Sequence, residues 1–273
     1  MSADRTTISQ LAHALRADEH WRTVLDGRAP VVFLDYDGVL TPIVDDPAAA
    51  TLDDQTRAAV VRAAEHLTVA IISGRDLADV RALVDVPGLA YAGSHGFDML
   101  LPDGTSERKG DDYLDDLDEV ERSARDRLNE IEGVTVERKR YAIAVHTRRA
   151  PHDTARQRAA DIVATLADRH PRLRVTGGKD IEEFRPDIDW DKGRALSRLM
   201  EVLELDADRH PPVYVGDDLT DEDAFAVIRD VGVGVVVAGD DDRQTAATLR
   251  LDGPAETGDL LELVAWLATE ERP

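Results

Sequence analysis

Short, mainly apolar runs alternate with amphipathic segments along most of the chain. Residues 31–36 and 69–72 are apolar at almost every position, which predicts strands buried on both faces. Each run is followed by a segment of helical character, residues 53–66 and 76–84. Because strands that alternate with helices form parallel sheets covered by helices, the pattern predicts an α/β fold whose core is a Rossmann-like, doubly wound parallel sheet.

The pattern changes between residues 105 and 185. There the strands alternate apolar and polar positions, as antiparallel strands with one exposed face do. We therefore expect an α+β cap domain at residues 105–185, inserted into a core of residues 1–104 and 186–273. The N-terminal residues 8–25 are predicted to form one amphipathic helix on the outside of the core. The other predicted strands are 89–92, 97–101, 134–137, 141–146, 173–176, 181–184, 212–215 and 232–237, and the other helices are 114–131, 154–170, 191–203, 220–228 and 257–269.

The composition narrows the classes of function. The 273 residues include 56 Asp and Glu against 33 Lys and Arg, a formal net charge of −23, and no Cys. So acidic a chain lacks the basic field on which nucleic-acid binding and polybasic membrane attachment depend. Without Cys there is no disulfide, zinc-thiolate site or Cys nucleophile. No apolar run approaches the ~20 residues of a membrane helix, and residues 1–9 lack an apolar signal region. We expect a cytoplasmic monomer with no nucleic-acid or membrane partner.

The first candidate site follows the strand at residues 31–36. Asp35 and Asp37 are two residues apart, so they share a face while the backbone stays extended, and Gly38 then allows a turn. Ligands of open parallel sheets bind beyond the carboxyl ends of the strands. Two carboxylates placed there repel each other unless a cation or a shared proton intervenes, and oxygen ligands suit Mg²⁺. The alternative is an Asx-turn that only ends the strand.

Two weaker candidates follow at other β-to-α junctions. Ser73 and Gly74 come directly after the strand at 69–72 and suit an anion held by a hydroxyl and backbone N–H groups. The alternative for Ser73 is part of a helix cap. Lys192 begins a helix, where its charge opposes the helix dipole, so it is either a phosphate-binding cation or a solvated lysine.

The last candidate is an acidic stretch after the strand at 212–215. Thr220 and Asp223 resemble a capping box, so some of these acids only begin a helix. That interpretation leaves Asp217 and Asp218 unexplained, because they lie outside the helix at the strand end. They are the second pair of candidate metal ligands.

The four strings occur in the order Asp-x-Asp, Ser, Lys, Asp-Asp, and in that order they resemble the haloacid dehalogenase superfamily of phosphotransferases. Asp35, Asp37, Val39 and Leu40 fit the first motif of that superfamily. A narrower resemblance covers nearly the whole chain and is to the trehalose-6-phosphate phosphatases. It is carried by residues 35–43, 72–75, 92–96, 137–139, 146–148, 183–186, 190–193 and 216–225.

The resemblance implies an enzyme of trehalose biosynthesis, which hydrolyses trehalose 6-phosphate to trehalose and phosphate with Mg²⁺ as cofactor. It implies an aspartyl-phosphate on the nucleophile Asp35, with Asp37 as general acid and then base. Ser73 and Lys192 would hold the transferring phosphoryl group. The implied metal residues are Asp35, Asp37 (through its carbonyl), Asp217 and Asp218, with Asp218 or Asp221 orienting the site. The implied substrate-binding residues are Gly74, Arg75, His95, Glu137, Arg138, Lys139, His146, Arg148 and Glu183, and Lys179 is a further candidate.

Three other functions stay open on the sequence. The same chemistry could act on another sugar phosphate, such as a sucrose, mannosylglycerate or glucosylglycerol phosphate. A phosphomutase would need to retain its phosphoenzyme, for which the sequence gives no sign. A catalytically silent subunit that only binds sugar phosphates would have no need of Asp37.

Overall fold

The computed structural model describes residues 6–44, 49–178 and 180–270. The chain divides into two compact units, Met1–Glu107 with Trp190–Pro273, and Arg108–Asp189. These borders lie a few residues from the predicted ones, after 104 and after 185. In chain order the strands are β1 (Thr6–Thr7), β2 (Ala12–His13), β3 (Val31–Leu34), β4 (Thr68–Ile72), β5 (Ala90–Gly93), β6 (Asp98–Leu100), β7 (Ser106–Arg108), β8 (Thr135–Lys139), β9 (Ala142–His146), β10 (Leu173–Gly178), β11 (Ile181–Pro186), β12 (Pro212–Gly216), β13 (Val233–Val237), β14 (Gln244–Thr245) and β15 (Leu249–Leu251). The α-helices are α1 (Asp18–Leu25), α2 (Asp54–Ala64), α3 (Leu77–Val84), α4 (Leu114–Leu128), α5 (Asp153–Arg169), α6 (Lys192–Val202), α7 (Glu222–Ile228) and α8 (Thr257–Glu270).

The first unit is built on a large, mainly parallel sheet. Among the described residues, nine strands lie in the order β2-β15-β13-β12-β3-β4-β5-β6-β7. The neighbours from β2 to β5 pair in parallel, and β6 turns back antiparallel to β5. Such a sheet needs helices on both faces because its strands are apolar at every position, as the four buried residues of β3 are.

The side chains of β3 show how the two faces are covered. Val32 and Leu34 belong to the apolar cluster that includes α2, α3 and α8. Val31 and Phe33 belong to the opposite cluster, which includes α6 and α7. Alternate residues of one strand therefore enter separate cores, and the prediction of a doubly wound α/β sheet is confirmed.

The second unit has one sheet and one helical layer. Its antiparallel strands lie in the order β10-β11-β9-β8. Leu117 and Val120 of α4 and Val163 of α5 pack in one cluster with Val145 and Phe184 of the sheet. Because side chains alternate along a strand, residues next to Val145 or Phe184 in sequence lie on the face that the helices do not cover.

The predicted N-terminal helix over residues 8–25 is wrong for most of its length. Ile8–Gln10 and Ala14–Arg16 are short 3₁₀ turns, β2 lies between them, and only Asp18–Leu25 is α-helical. The segment pairs instead with a distant strand, β2 with β15, and the preceding β1 pairs with β14. The two turns bury Ile8 and Ala14, so the segment packs on the core without forming one helix.

Within residues 6–44, 49–178 and 180–270, no helix is both long enough and apolar enough to cross a membrane.

Candidate active site

Three predicted residues meet at the carboxyl edge of the large sheet. In the parallel register Leu34 lies opposite Val215 of β12 and Ile71 of β4. The residues that follow these strands, Asp35, Ser73 and Asp217, therefore reach the same edge. Lys192 enters from the first turn of α6, whose N-cap is Asp191.

Lys192 is the central cation of this edge. Its Nζ donates to Asp35 Oδ2 at 2.5 Å and to Asp221 Oδ1 at 2.7 Å, and the residue is only 2% exposed. The other oxygen of Asp35 accepts the backbone N–H of Tyr36 at 2.6 Å. Burial opposes the charge of Lys192, but the carboxylates of Asp221 and Asp35 outweigh it and raise its pKa. Lys192 stays protonated and holds the carboxylate of Asp35 in one orientation.

Asp221 is fully buried and accepts hydrogen bonds from four groups of the site. Its Oδ1 accepts from Lys192 and from the hydroxyl of Tyr214 at 2.5 Å. Its Oδ2 accepts the backbone N–H groups of Asp217 at 2.9 Å and Asp218 at 3.0 Å. Burial opposes its charge, yet Lys192 and these donors keep the pKa of Asp221 below its ordinary value. Both oxygens are occupied by donors, so Asp221 positions the loop and the lysine.

Asp217 faces the carboxylate of Asp35 across the edge. Carboxylate oxygens of Asp35, Asp217 and Asp221 lie within 4.8 Å of one another. Burial, together with the charges of these acids, raises the pKa of Asp217 to about 8. Gly38, with φ +74°, lies so close that an added Cβ would be 2.1 Å from Asp217 Oδ2. A side chain at position 38 would therefore displace the carboxylate of Asp217.

The donor set of this edge fits a hard divalent cation. Each oxygen of Asp221 accepts from two donors, whereas each oxygen of Asp35 accepts from one, so Asp35 and Asp217 are the carboxylates with lone pairs left for a metal. Carboxylate oxygens are the ligands that such cations prefer, and a cation would offset the burial and the repulsion that together raise the pKa of Asp217.

Asp218, predicted as a metal ligand, has a different contact. Its Oδ1 accepts the N–H of Thr220 at 2.8 Å and the hydroxyl of the same residue at 2.7 Å. It forms a capping box with Asp221 at the 3₁₀ turn Leu219–Asp221. The capping residues are therefore Asp218 and Asp221, and not Thr220 and Asp223 as the spacing suggested.

Asp37 is held by Arg75. The guanidinium donates from Nε to Asp37 Oδ2 and from Nη2 to Asp37 Oδ1, both at 2.7 Å. Arg75 also lies over the ring of Tyr36, 5.2 Å from its centroid. The sequence placed Arg75 among the substrate-binding residues, and the structure shows that its guanidinium binds the second aspartate of the first motif.

Ser73, Gly74 and His95, which the sequence predicts as site residues, lie next to one another in the structure. Ser73 is fully buried, and its Oγ accepts the N–H of Arg75 at 3.1 Å. The N–H of His95 donates to the carbonyl of Ser73 at 2.8 Å. The His95 ring lies over Gly74, where an added Cβ would be 2.9 Å from its Cε1 and Nε2. His95 adopts φ +56° and Ser94 adopts φ +50°, a conformation that costs L-residues energy and is concentrated at functional sites.

The second unit carries four of the predicted sugar-binding residues on one face of its sheet. Glu137, Ala144 and Glu183 lie side by side in the register of β8, β9 and β11. His146 Nε2 lies 2.8 Å from Glu137 Oε2, and Lys139 Nζ donates to Glu183 Oε1 at 2.8 Å. The face is the one opposite to α4 and α5, because Val136, Val145 and Phe184 point to the helices.

Two predicted residues lie elsewhere, and one lies outside the described chain. Arg138 stands between Glu137 and Lys139 on β8, so alternation turns it to the helical side, where its Nη2 pairs with Asp118 at 2.9 Å. Arg148 is exposed beyond the end of β9. Lys179 falls outside the described residues.

Three residues of these sites were not predicted as site residues. Tyr214 is inside β12, where an apolar strand residue is expected, and its hydroxyl binds Asp221. Arg185 pairs with Glu183 and could be found from the string that carries Glu183. Arg243 donates to the backbone of the Asp217 loop, and nothing in its sequence neighbourhood signals that contact.

Comparison with known proteins gives the class first. A haloacid dehalogenase-like hydrolase from Bacteroides thetaiotaomicron shares the fold, with a TM-score of 0.63 over 88% of this chain and 100% of that one, at 14% identity. The chain therefore shares the fold of that hydrolase, with Asp35, Ser73, Lys192 and Asp217 at the carboxyl edge of the sheet.

The family follows from closer matches. The trehalose-phosphatase family profile matches residues 33–255. A trehalose-phosphate phosphatase of Mycobacterium avium is 45% identical over 267 residues, which are 94% of this chain and 68% of that protein. A trehalose-6-phosphate phosphatase structure from Aspergillus fumigatus has a TM-score of 0.62 at 28% identity, over 93% of this chain and 99% of that one. The chain belongs to the trehalose-phosphatase family.

The length of the relatives varies widely. An uncharacterized glycosyl hydrolase of Mycobacterium tuberculosis is 45% identical over 254 residues, which are 90% of this chain and 19% of that protein. The chain thus spans about a fifth of the length of that relative.

Proposed function

We propose that the chain hydrolyses trehalose 6-phosphate to trehalose and phosphate through an aspartyl-phosphate on Asp35. The observation that carries this proposal is the buried Lys192, whose Nζ donates to Asp35 Oδ2 at 2.5 Å beside the carboxylate of Asp217. A carboxylate that is held in one orientation beside a fixed cation suits in-line attack on a phosphoryl group. The family, and the description of its Mycobacterium avium member, supply the substrate.

In the first half-reaction an oxygen of Asp35 attacks phosphorus, and the bond from phosphorus to the sugar oxygen breaks. The leaving oxygen takes a proton from Asp37, which must carry that proton when the substrate binds. Both oxygens of Asp37 accept from Arg75, so this ion pair opens before Asp37 acts as an acid. Lys192 and Ser73 hold the phosphoryl oxygens.

In the second half-reaction Asp37, now ionised, takes a proton from water. The water oxygen attacks phosphorus, the bond from phosphorus to Asp35 breaks, and inorganic phosphate leaves. Asp37 is again protonated, so the protein returns to its starting state and no other co-reactant is consumed.

A divalent cation, Mg²⁺ by our proposal, would be held by the carboxylates of Asp35 and Asp217 and by the carbonyl of Asp37. It would neutralise charge on the phosphoryl oxygens. Lys192 holds the carboxylate of Asp35, and Asp221 holds the backbone of Asp217.

The polar face of the second sheet binds the sugar in this proposal. Its two contacts, Glu137 with His146 and Glu183 with Lys139, present both acceptors and donors to hydroxyl groups. Glu183 is only 5% exposed, and Lys139 and Arg185 keep its pKa below the ordinary value in spite of its burial. It therefore stays an acceptor across the neutral range.

The test is phosphate release from trehalose 6-phosphate, sucrose 6-phosphate and glucose 6-phosphate after chelator treatment, with and without added Mg²⁺. We expect release that needs Mg²⁺ and is fastest with trehalose 6-phosphate, and none from Asp35→Asn. Faster release from another sugar phosphate would refute the substrate, and full turnover without metal would refute the cation. The cytoplasmic location and the monomeric state remain predictions.

A further inference from the structure

Arg243 binds the backbone of the loop that carries Asp217. Its Nη2 donates to the carbonyl of Asp217 at 3.0 Å and to the carbonyl of Asp218 at 2.7 Å. The side chain is 12% exposed. The N–H groups of the same two residues donate to Asp221. Asp221 therefore binds the N–H groups of this loop, and Arg243 binds its carbonyl groups.

A carboxylate fixes the guanidinium of Arg243 in turn. Glu222, at the start of α7, accepts from Arg243 Nη1 with one oxygen, and its Oε2 accepts the N–H of Ala246 at 2.7 Å. Glu222 therefore joins the side chain of Arg243 to the backbone three residues further along.

The N-terminal segment holds the backbone around Arg243. The N–H of Ile8 donates to the carbonyl of Arg243 at 3.1 Å. On one side β1 pairs with β14, and on the other the N–H and hydroxyl of Ser9 donate to the carboxylate of Asp242 at 2.8 and 2.7 Å. Ile8 is buried in the core on the α6 and α7 side, which fixes the segment itself.

We propose that Arg243, supported by Glu222 and the segment Thr6–Ser9, is a positioning residue for the metal-binding loop. The inference rests on the proposed cation site at Asp35 and Asp217. The carbonyls that Arg243 binds belong to residues 217 and 218, so a shift of its guanidinium moves the backbone from which the Asp217 carboxylate projects. Groups that orient metal ligands in this way are typically worth ten- to a hundred-fold in metal affinity.

Charge gives the proposal a sharp test. A positive group beside a cation site repels the cation, so if Arg243 acted through its charge alone, its removal would tighten metal binding. If it acts by positioning, binding weakens even though a repelling charge is lost. Arg243→Gln removes the charge, and Arg243→Lys keeps it but cannot make the forked contact with two carbonyls and Glu222.

The experiment measures Mn²⁺ binding to the full chain by electron paramagnetic resonance, with Mg²⁺ as competitor and no substrate present. Arg28→Lys is the matched control, because Arg28 also donates to backbone carbonyls, those of Leu25, Val24 and Asp208, without touching the Asp217 loop. We expect the dissociation constant to rise about ten-fold or more in Arg243→Gln and Arg243→Lys, less in Glu222→Gln, and not in the control. Thermal unfolding midpoints confirm that each variant is folded.

The outcomes separate the two proposals. Wild-type protein that binds no Mn²⁺ would refute the cation site itself. Wild-type binding that both Arg243 variants retain, or that Arg243→Gln tightens, would refute only the positioning role. Should Arg243→Gln fail to fold, Glu222→Gln decides by the same measurement, since affinity equal to wild type would overturn the proposal.

Discussion

Asp35 and Asp37 are separated by one residue, and each binds a positively charged side chain from a different part of the chain. Asp35 is tied to Lys192 of α6, and Asp37 is tied to Arg75 after β4. The side chain of Asp35 is buried, whereas that of Asp37 is 42% exposed. A buried, fixed carboxylate suits the attack on phosphorus, and an accessible one suits proton exchange with the leaving group and water.

The different roles of the two carboxylates predict different losses of activity when each is replaced. Asp35→Asn should abolish turnover with every phosphate ester, because no nucleophile remains. Asp37→Asn should slow trehalose 6-phosphate about 10²- to 10⁴-fold. With p-nitrophenyl phosphate, whose leaving group needs no acid, phosphoryl transfer should suffer less. Single-turnover kinetics on both substrates checks this, and equal losses would contradict the role of Asp37.

The raised pKa of Asp217 predicts a pH-dependent stability of the metal-free protein. A carboxyl group whose pKa is higher in the folded than in the unfolded protein binds its proton more tightly when folded. Its contribution is complete below the unfolded pKa near 3.8 and is lost as the pH rises through about 8. In chelator the unfolding midpoint should fall between pH 6 and 9, and a divalent cation should restore more stability at pH 9 than at pH 6.

Asp217→Asn is the matched variant for that measurement. It keeps the shape of the side chain and removes the ionisable group, so the metal-free midpoint should fall less over the same pH range. Part of the slope remains because burial also raises the pKa of Asp35, to about 7. A variant with the full wild-type slope would show that Asp217 is not the group that titrates.

At the scale of elements, the two faces of the second sheet predict different kinetics. Glu183→Ala should lower kcat/KM for trehalose 6-phosphate about ten- to a hundred-fold, because substrate hydroxyls lose a buried acceptor, and should leave p-nitrophenyl phosphate unaffected. Arg138→Gln is the control from the helical face and should change neither. If Glu183→Ala slows both substrates equally, the residue belongs to the fold, and if it slows neither, this face does not bind the sugar.

Elements that bury both faces could be predicted from the sequence. The runs at β3, β4, β12 and β13 carry no charged side chain and are buried apart from Thr68, and the candidate residues directly after β3, β4 and β12 needed only the general rule about strand ends. The strand position of Glu137 was also predicted, whereas Lys139 fell between the predicted strands 134–137 and 141–146. The alternation of side chains along a strand could have excluded Arg138 from the predicted substrate-binding residues, since three consecutive residues of a strand cannot share a face.

The parts that could not be predicted depend on contacts between distant residues. The N-terminal segment adopts its turns because β14 and β15, far along the chain, supply its partners. Asp218 caps a turn and Asp217 faces Asp35, although the two are adjacent acids, because Asp221 fixes the direction of the loop. No pattern of neighbouring residues predicts these partners. The contact of Arg243 with the Asp217 loop is a third contact of this kind.

At the scale of the whole molecule, the dominant property is the charge of −23. Like charges destabilise a compact chain, and monovalent salt screens them, with a Debye length of ~10 Å at 0.1 M. The unfolding midpoint at pH 7.5 should therefore rise between 10 mM and 500 mM KCl. Near the isoelectric point of about 4.6 the same addition should have little effect. A midpoint that falls with salt at pH 7.5 would show that attractive ion pairs outweigh the net charge.

The pairing of β3 with β12 has a consequence for biosynthesis. One edge of β3 is covered by β4 soon after it is made, but the other waits for a strand roughly 180 residues later in the chain. At about 5–20 residues per second, roughly 10–40 s pass between the synthesis of β3 and that of β12. During that time the backbone groups on this edge of Val31–Leu34 have no partner strand. An unpaired apolar strand is a template for association with other chains. Between the two strands the second unit is completed with pairings close in sequence, so the nascent chain carries a finished sheet while the edge beside Asp35 is still open.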